Sequence, residues 1–517
     1  MPHMIPFNIV PTVRILVVAD TRPAGQAAGG FNFAQTMSAF DLEMALNAVK
    51  AAPLPWVRFE IVTAHRDTTG SSSPEGAAAA GTAQHPGFRF DALPAGLSLA
   101  TIDQIWLFGF AAAQDTGAQP TPALSAAELT VLHSFMDSGG GVFATGDHES
   151  IGSFLCSGVK RVKDMRTWDR RIAGAPQPPL FGPTRHDTTR ESPPGSSYYA
   201  FNNQSDRYPQ PIRLRRYRLG YIPSELIFPK VRDRPHPLLC GLKGPIDVLP
   251  DHMHEGEVLV PSGIGAGNAD WPGTTRAEIV AWADVIAHSD VQFGAVNGTS
   301  FGAVGAYDGH AEGVGRVAVD STWHHWVHIN LVGFATTPTQ TGNPEALSRI
   351  YNYFRNVAVW LASPAMQSAM SEAAWLLAFL SGGLTEIGPL QTLDTPYTGQ
   401  QAIDALGRYA SLCNIEYFVF QRPDIPRQLQ PPGWHGPDPG PWYRWPMMDY
   451  CAGAQVKAVA ARFAKGQMGE KVTPELRQRH LNDAVTRGLM EMIERESPAV
   501  KASLAAMEQL RERLAAR

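Results

Sequence analysis

Residues Gly139 to Ser150 read Gly-Gly-Gly-Val-Phe-Ala-Thr-Gly-Asp-His-Glu-Ser, and they restrict the fold more than any other stretch. The glycines end a preceding helix, Val142 to Thr145 are a short buried strand, and Gly146 opens a sharp turn carrying three ionisable side chains. Turns of this kind present a side chain at the carboxyl edge of a parallel sheet, where open α/β folds place their ligands.

The flanking sequence fits such a sheet. Val13 to Ala19 is a β-branched run suited to a strand buried on both faces, and Asp20 follows it at the carboxyl edge. Phe33, Met37, Phe40 and Met44 recur at helical spacing and predict a covering helix. Val57 to Ala64 predicts a second strand with His65 past its end, and Ile102 to Phe110 a third. Residues 69 to 100, rich in Gly, Ala, Ser and Pro, read as a loop that packs little. Ser125 and Glu128 form a capping box before a helix through Leu129, Leu132 and Met136. The pattern resumes at Gly315 to Val319, which delivers Asp320 and then His324, His325 and His328. A closing amphipathic helix carries Leu347, Ile350, Tyr351, Phe354, Val357 and Leu361. This order predicts a flavodoxin-like, doubly wound, mostly parallel α/β sheet over residues 1–362.

A chain of 517 residues exceeds one ordinary core, and residues 363–517 read as a mainly helical C-terminal domain with a packing or homo-oligomerisation role. No apolar run is long enough for a membrane span, and Met1 to Pro11 lacks the pattern of a signal peptide, so a cytoplasmic protein without membrane partners is expected. Cys156, Cys240, Cys413 and Cys451 show no paired spacing, which points to free buried thiols. The net charge of −5 argues against general nucleic-acid binding. Residues 160–234 nevertheless hold 16 Lys or Arg against 7 Asp or Glu. This basic insertion is either a solvated segment paired with acidic neighbours or an anion-attracting cover over the sheet edge; no recognised motif accompanies the charge.

Three pieces of the chain resemble the ThuA-like (trehalose-utilisation) branch of the class I glutamine amidotransferase-like superfamily. They are Gly139-Gly140-Gly141 running into Gly146-Asp147-His148, then His236-Pro237 through Gly241-Leu242, and Gly315-Arg316-Val317 through Ser321 to His324. The resemblance covers roughly residues 13–362 and implies the amidotransferase-like fold and an association with carbohydrate metabolism. The glutaminases of that superfamily carry a nucleophilic cysteine at the elbow, where this chain has His148. Without that thiolate, glutaminase chemistry is not expected.

The predicted carboxyl edge collects Asp20, His65, Asp147, His148, Glu149, Asp320, His324 and His325. His252 and His254 project to one side if extended, with Glu255 beside them, in the region where ThuA-like proteins carry an acidic loop. Two mechanisms suit such a set. In one, a divalent metal ion held by histidines and a carboxylate activates water; His252, His254, Glu255 and His325 form one ligand set, His148 and His324 are further ligands, and Glu149 or Glu255 is the base. In the other, no metal is used, and His148 and His324 perform acid/base work with Asp147 orienting one of them and Asp320 nearby. Plainer roles stand beside these: Asp147 as a helix cap, and His324 and His325 as packing between Trp323 and Trp326. The expected function is hydrolysis or acid/base chemistry on a small polar substrate, anionic or carbohydrate-like; the alternative is a non-catalytic ligand-binding or scaffolding protein with a degenerate site.

Overall fold

Alternate side chains of a strand face opposite sides of its sheet, and this chain supplies apolar residues on both. The computed structural model describes residues 9–20, 30–34, 40–51, 54–66, 81–111, 124–147, 150–168, 210–221, 231–242, 244–249, 256–262, 268–285, 287–290, 294–296, 298–332, 344–380, 392–419, 444–468 and 472–515. Among them, ten strands form one mixed sheet. They are β1 (Thr12–Ala19), β2 (Arg58–His65), β3 (His85–Pro86), β4 (Gln104–Phe108), β5 (Gly141–Thr145), β6 (Gln210–Leu214), β7 (Val248–Leu249), β8 (Glu278–Val285), β9 (Thr299–Tyr307) and β10 (Val317–Asp320). Their order across the sheet is β7-β6-β8-β9-β10-β5-β4-β1-β2-β3. Neighbours from β10 to β3 are parallel, and those from β10 to β7 antiparallel.

The two faces follow the two-residue period. Val13, Ile15 and Val17 of β1, Trp106 and Phe108 of β4, Phe143 of β5 and Ala318 of β10 join one apolar layer. Leu16, Val18, Ile105, Leu107, Val142, Ala144, Val317 and Val319 join the other. Burying one such aliphatic side chain contributes about 1.5–3 kcal/mol, so both layers resist displacement of the central strands.

The first layer is covered by α1 (Glu43–Lys50), through Ala45, Leu46 and Val49, and, as shown below, by later helices. The second is covered by α2 (Ala126–Asp137), through Leu132 and Met136, and by the short α3 (Ser153–Cys156) and α4 (Val162–Met165). The capping box forms as the sequence predicts: Ser125 Oγ accepts from Glu128 N and the Glu128 carboxylate accepts from Ser125 N. Gly139, at φ +97°, follows the helix in the left-handed region. After the sheet come α5 (His328–Val332), α6 (Pro344–Trp360), α7 (Pro364–Leu380), α8 (Thr395–Leu406), α9 (Leu412–Val419), α10 (Arg444–Ala464) and α11 (Pro474–Ala515). Ile350, Phe354 and Val357 of α6 share the first layer with Met370, Trp375, Leu406, Val456 and Leu481 from the following helices. No helix among the described residues is long and apolar enough to cross a membrane.

Three expectations change. Of the helix predicted through Phe33, Met37, Phe40 and Met44, the described part begins at Glu43; Phe33 and Phe40 precede it, with Asn32 N donating to Phe40 O and Leu42 N to Asn32 O, and Met37 lies outside the described residues. Of the region 69–100, residues 69–80 lie outside the described residues, and the described part packs more than its composition suggests, because Phe88 and Phe90 are buried in edge-to-face contact beneath α2. Finally, β6 to β9 extend the sheet by an antiparallel half that the sequence reading does not include.

Candidate functional site

The turn after β5 is held by glycine contacts. Gly152 has φ +92°, and a Cβ on Gly109 would stand 2.5 Å from the Gly152 Cα. Gly152 N and Phe154 N both donate to Ala111 O, and Asp147 N donates to Ile151 O at 3.0 Å. A side chain at either glycine would part the loops after β4 and β5, so both must lack one. The turn therefore places Asp147 beside the end of β10.

There Nε2 of His324 lies 3.1 Å from Oδ2 of Asp147, while Thr322 Oγ1 donates to Asp147 Oδ1 at 3.1 Å. On its other side, His324 Nδ1 is 3.0 Å from Oδ1 of Asn330 in α5. An amide offers both a donor and an acceptor, so Asn330 matches Nδ1 with or without its proton. The imidazole stacks on Trp323 at 4.1 Å, and Trp323 stacks in turn on Phe110, with Phe31 and Phe40 edge-on. Asp147 is 2% and His324 7% exposed, so the pair is nearly enclosed by these groups.

A second pair lies at the end of β10. Asp320 Oδ2 accepts from Trp326 Nε1 at 2.7 Å and faces His325 Nε2 at 2.9 Å, while Oδ1 accepts from Tyr353 of α6. Asp320 and His325 are fully buried. Burial and the neighbouring Asp320 carboxylate push the Tyr353 hydroxyl well above its ordinary value, so it stays protonated as the donor.

Arg166 joins the two pairs through the backbone. Its guanidinium donates to the carbonyls of Asp320, Thr167, Asp147 and Ser321 and lies 4.5 Å over the Trp168 ring. Asp20 also stands at this edge, its Oδ1 accepting from Phe110 N and Ala111 N. Cys156 comes closer than its sequence position suggests, with Sγ 3.9 Å from Thr145 O. Burial and then the Asp20 charge raise its pKa well above the ordinary range, against a smaller opposing effect of Arg166, which favours the protonated thiol.

The structure thus brings Asp147 to His324 and Asp320 to His325. His148, Glu149, His252, His254 and Glu255, the remaining candidates, lie outside the described residues. No cluster of three or more metal-ligating side chains occurs among the described residues. His65 ends β2 and is buried, which lowers its pKa to about 4 and keeps it neutral. Sequence reasoning missed Thr322, Asn330 and Arg166. Thr322 and Asn330 carry no motif, and Arg166 is indistinguishable in sequence from its basic neighbours.

Those neighbours have structural partners. Lys160 and Arg161 meet Asp137, Lys163 meets Asp270, Arg213 meets Asp284, and Arg215 meets Glu278. The described part of the basic insertion accordingly follows the charge-paired reading. Comparison of the chain with protein-family models, with characterised proteins and with solved structures finds no match.

Proposed function

We propose that this protein is an enzyme of amidotransferase-like, ThuA-like fold that performs hydrolysis or acid/base chemistry on a small polar substrate, with Asp147 and His324 as its working pair. The observation that carries this reading is the 3.1 Å contact between His324 Nε2 and Asp147 Oδ2 at the carboxyl edge of the parallel strands. The β2-β1-β4-β5-β10 order supports the fold assignment, because it reproduces the flavodoxin-like arrangement once the two-residue β3 is set aside. The helices from α7 onward would form the C-terminal domain.

In this reading the Asp147 carboxylate holds Nε2–H and fixes the ring, while Thr322 fixes the carboxylate. Nδ1 is then the proton-transfer atom, and a substrate hydroxyl or activated water takes the place of the Asn330 amide. The Trp323 face limits rotation of the imidazole as the proton moves.

One observation favours the non-catalytic alternative: His324 is 7% exposed and both its ring nitrogens already have partners. A panel of chromogenic esters, lactones and glycosides separates the two readings. Turnover by the wild type that His324→Gln abolishes, with the variant still folded by circular dichroism, supports the enzyme. Turnover that survives both His324→Gln and Asp147→Asn removes the pair from the mechanism, and absence of turnover throughout the panel favours the binding protein.

A further inference from the structure

The last helix is longer than the neighbour it packs on. α10 and α11 run antiparallel: Arg462 and Arg477 share the Glu372 carboxylate, Cys451 Sγ lies 3.7 Å from Val485 O, and a Cβ on Gly488 would stand 2.6 Å from Tyr450 O. Continued in that register, Arg444, where α10 begins, is level with Glu494. α11 therefore runs on past α10 from Arg495 to Ala515, about 30 Å of helix. A helix of this length is marginal in water by itself and draws its stability from packing an apolar face.

Such a face begins on the described part of α11. Met490 and Ile493 are 53% and 47% exposed. In the sequence they open an unbroken alternation of three- and four-residue steps, continued by Ser497, Val500, Leu504, Met507, Arg511 and Leu514. That spacing is the narrow seam of a coiled coil and lasts about three and a half heptads. The two polar members, Ser497 and Arg511, fall in the same heptad position, where a polar residue fixes register at some cost in stability. Pro498 falls on the outward side of the helix, so the backbone bond it omits lies away from the seam.

The charges beside the seam select the occupant. Glu496 and Lys501 are five residues apart on its two flanks, the separation at which parallel, in-register helices face each other. A second copy thus offers two identical Glu–Lys pairs about a twofold axis. Antiparallel pairing over the same span would instead set Lys501 against Lys501 and Glu494 against Glu508, like charge against like. We propose that α11 pairs in parallel with α11 of a second copy of this chain, through the seam from Met490 to Leu514. The pairing does not depend on the Asp147–His324 chemistry.

The test is sedimentation equilibrium of the full-length protein. The wild type is expected at twice the mass of one chain in the range of about 1–50 µM. Leu504→Glu puts a charge into the seam of both copies and should weaken the dimer at least about a hundredfold, whereas Ala505→Glu, one position further and off the seam, should change it by less than about twofold. Glu496→Lys and Lys501→Glu should each weaken the dimer at least about threefold, and the two together should restore it to within about twofold. Both reversals lie on the solvated flank, so they carry the test if Leu504→Glu fails to fold by circular dichroism. Single chains throughout the range, an assembly larger than two, a dimer that survives Leu504→Glu, or reversals that do not restore each other would each overturn the proposal.

Discussion

Nε2 of His324 lies 3.1 Å from Oδ2 of Asp147 although 177 residues separate them in the chain. The contact exists because β10 and β5 are parallel neighbours, so their carboxyl ends deliver both side chains to one edge. A contact between polar groups so thoroughly enclosed should be energetically coupled. In a double-mutant cycle of Asp147→Asn and His324→Gln, measured by urea unfolding, the expected coupling is about 1–3 kcal/mol. Additive effects would mean that the two side chains do not interact in solution.

Asp320 accepts from Tyr353 and Trp326 and contacts His325 in a fully buried position. Truncation leaves all three partners without it. Asp320→Ala should cost about 3–5 kcal/mol, and Tyr353→Phe only about 1–2 kcal/mol because one donor is removed with its bond. Denaturant midpoints give both values. A larger loss for Tyr353→Phe than for Asp320→Ala would contradict this hierarchy.

The turn that carries Asp147 depends on Gly152, whose φ is +92° and whose added Cβ would stand 2.7 Å from the Gly146 Cα. Gly313 has a similar φ of +77° but open space around it. Gly152→Ala should therefore destabilise by more than about 2 kcal/mol, and Gly313→Ala by roughly 1 kcal/mol. Comparable melting temperatures for the two variants would show that the loop yields easily.

His65 supplies a pH dependence with a defined sign. Burial lowers its folded pKa from 6.5 to about 4, so the unfolded chain binds the proton more readily between those values. Its contribution to stability is complete above pH 6.5 and is lost as pH falls toward 4, at up to about 1.4 kcal/mol per pH unit. His310, lowered well below its ordinary value by burial and then by Arg316, acts in the same direction. Asp449, raised to about 6 by burial and the Asp404 charge, acts in the opposite direction between pH 3.8 and 6. The wild type and His65→Gln, compared by urea unfolding at pH 7 and pH 5, isolate the histidine. The variant should lose less stability on acidification, and an equal loss would refute the assignment.

The sequence alone determined the parts governed by short-range periodicity. The β-branched run at Val13 to Ala19, the Ser125–Glu128 capping box and the glycine stop at Gly139 each fix local geometry through backbone sterics or a hydrogen bond three residues away, and the structure has them where expected. Tertiary structure decided the rest. It selected His324 as the partner of Asp147 and placed Asn330 behind it; it also turned Arg166, one basic residue in a run of many, into a buried bridge between four carbonyls. It added the antiparallel strands β6 to β9, of which β6 pairs with β7 and β8 across long intervening stretches of chain. The physical reason is the same throughout: periodicity and capping act within a few residues, whereas burial and the partners of a polar side chain are set by whichever distant segment packs against it.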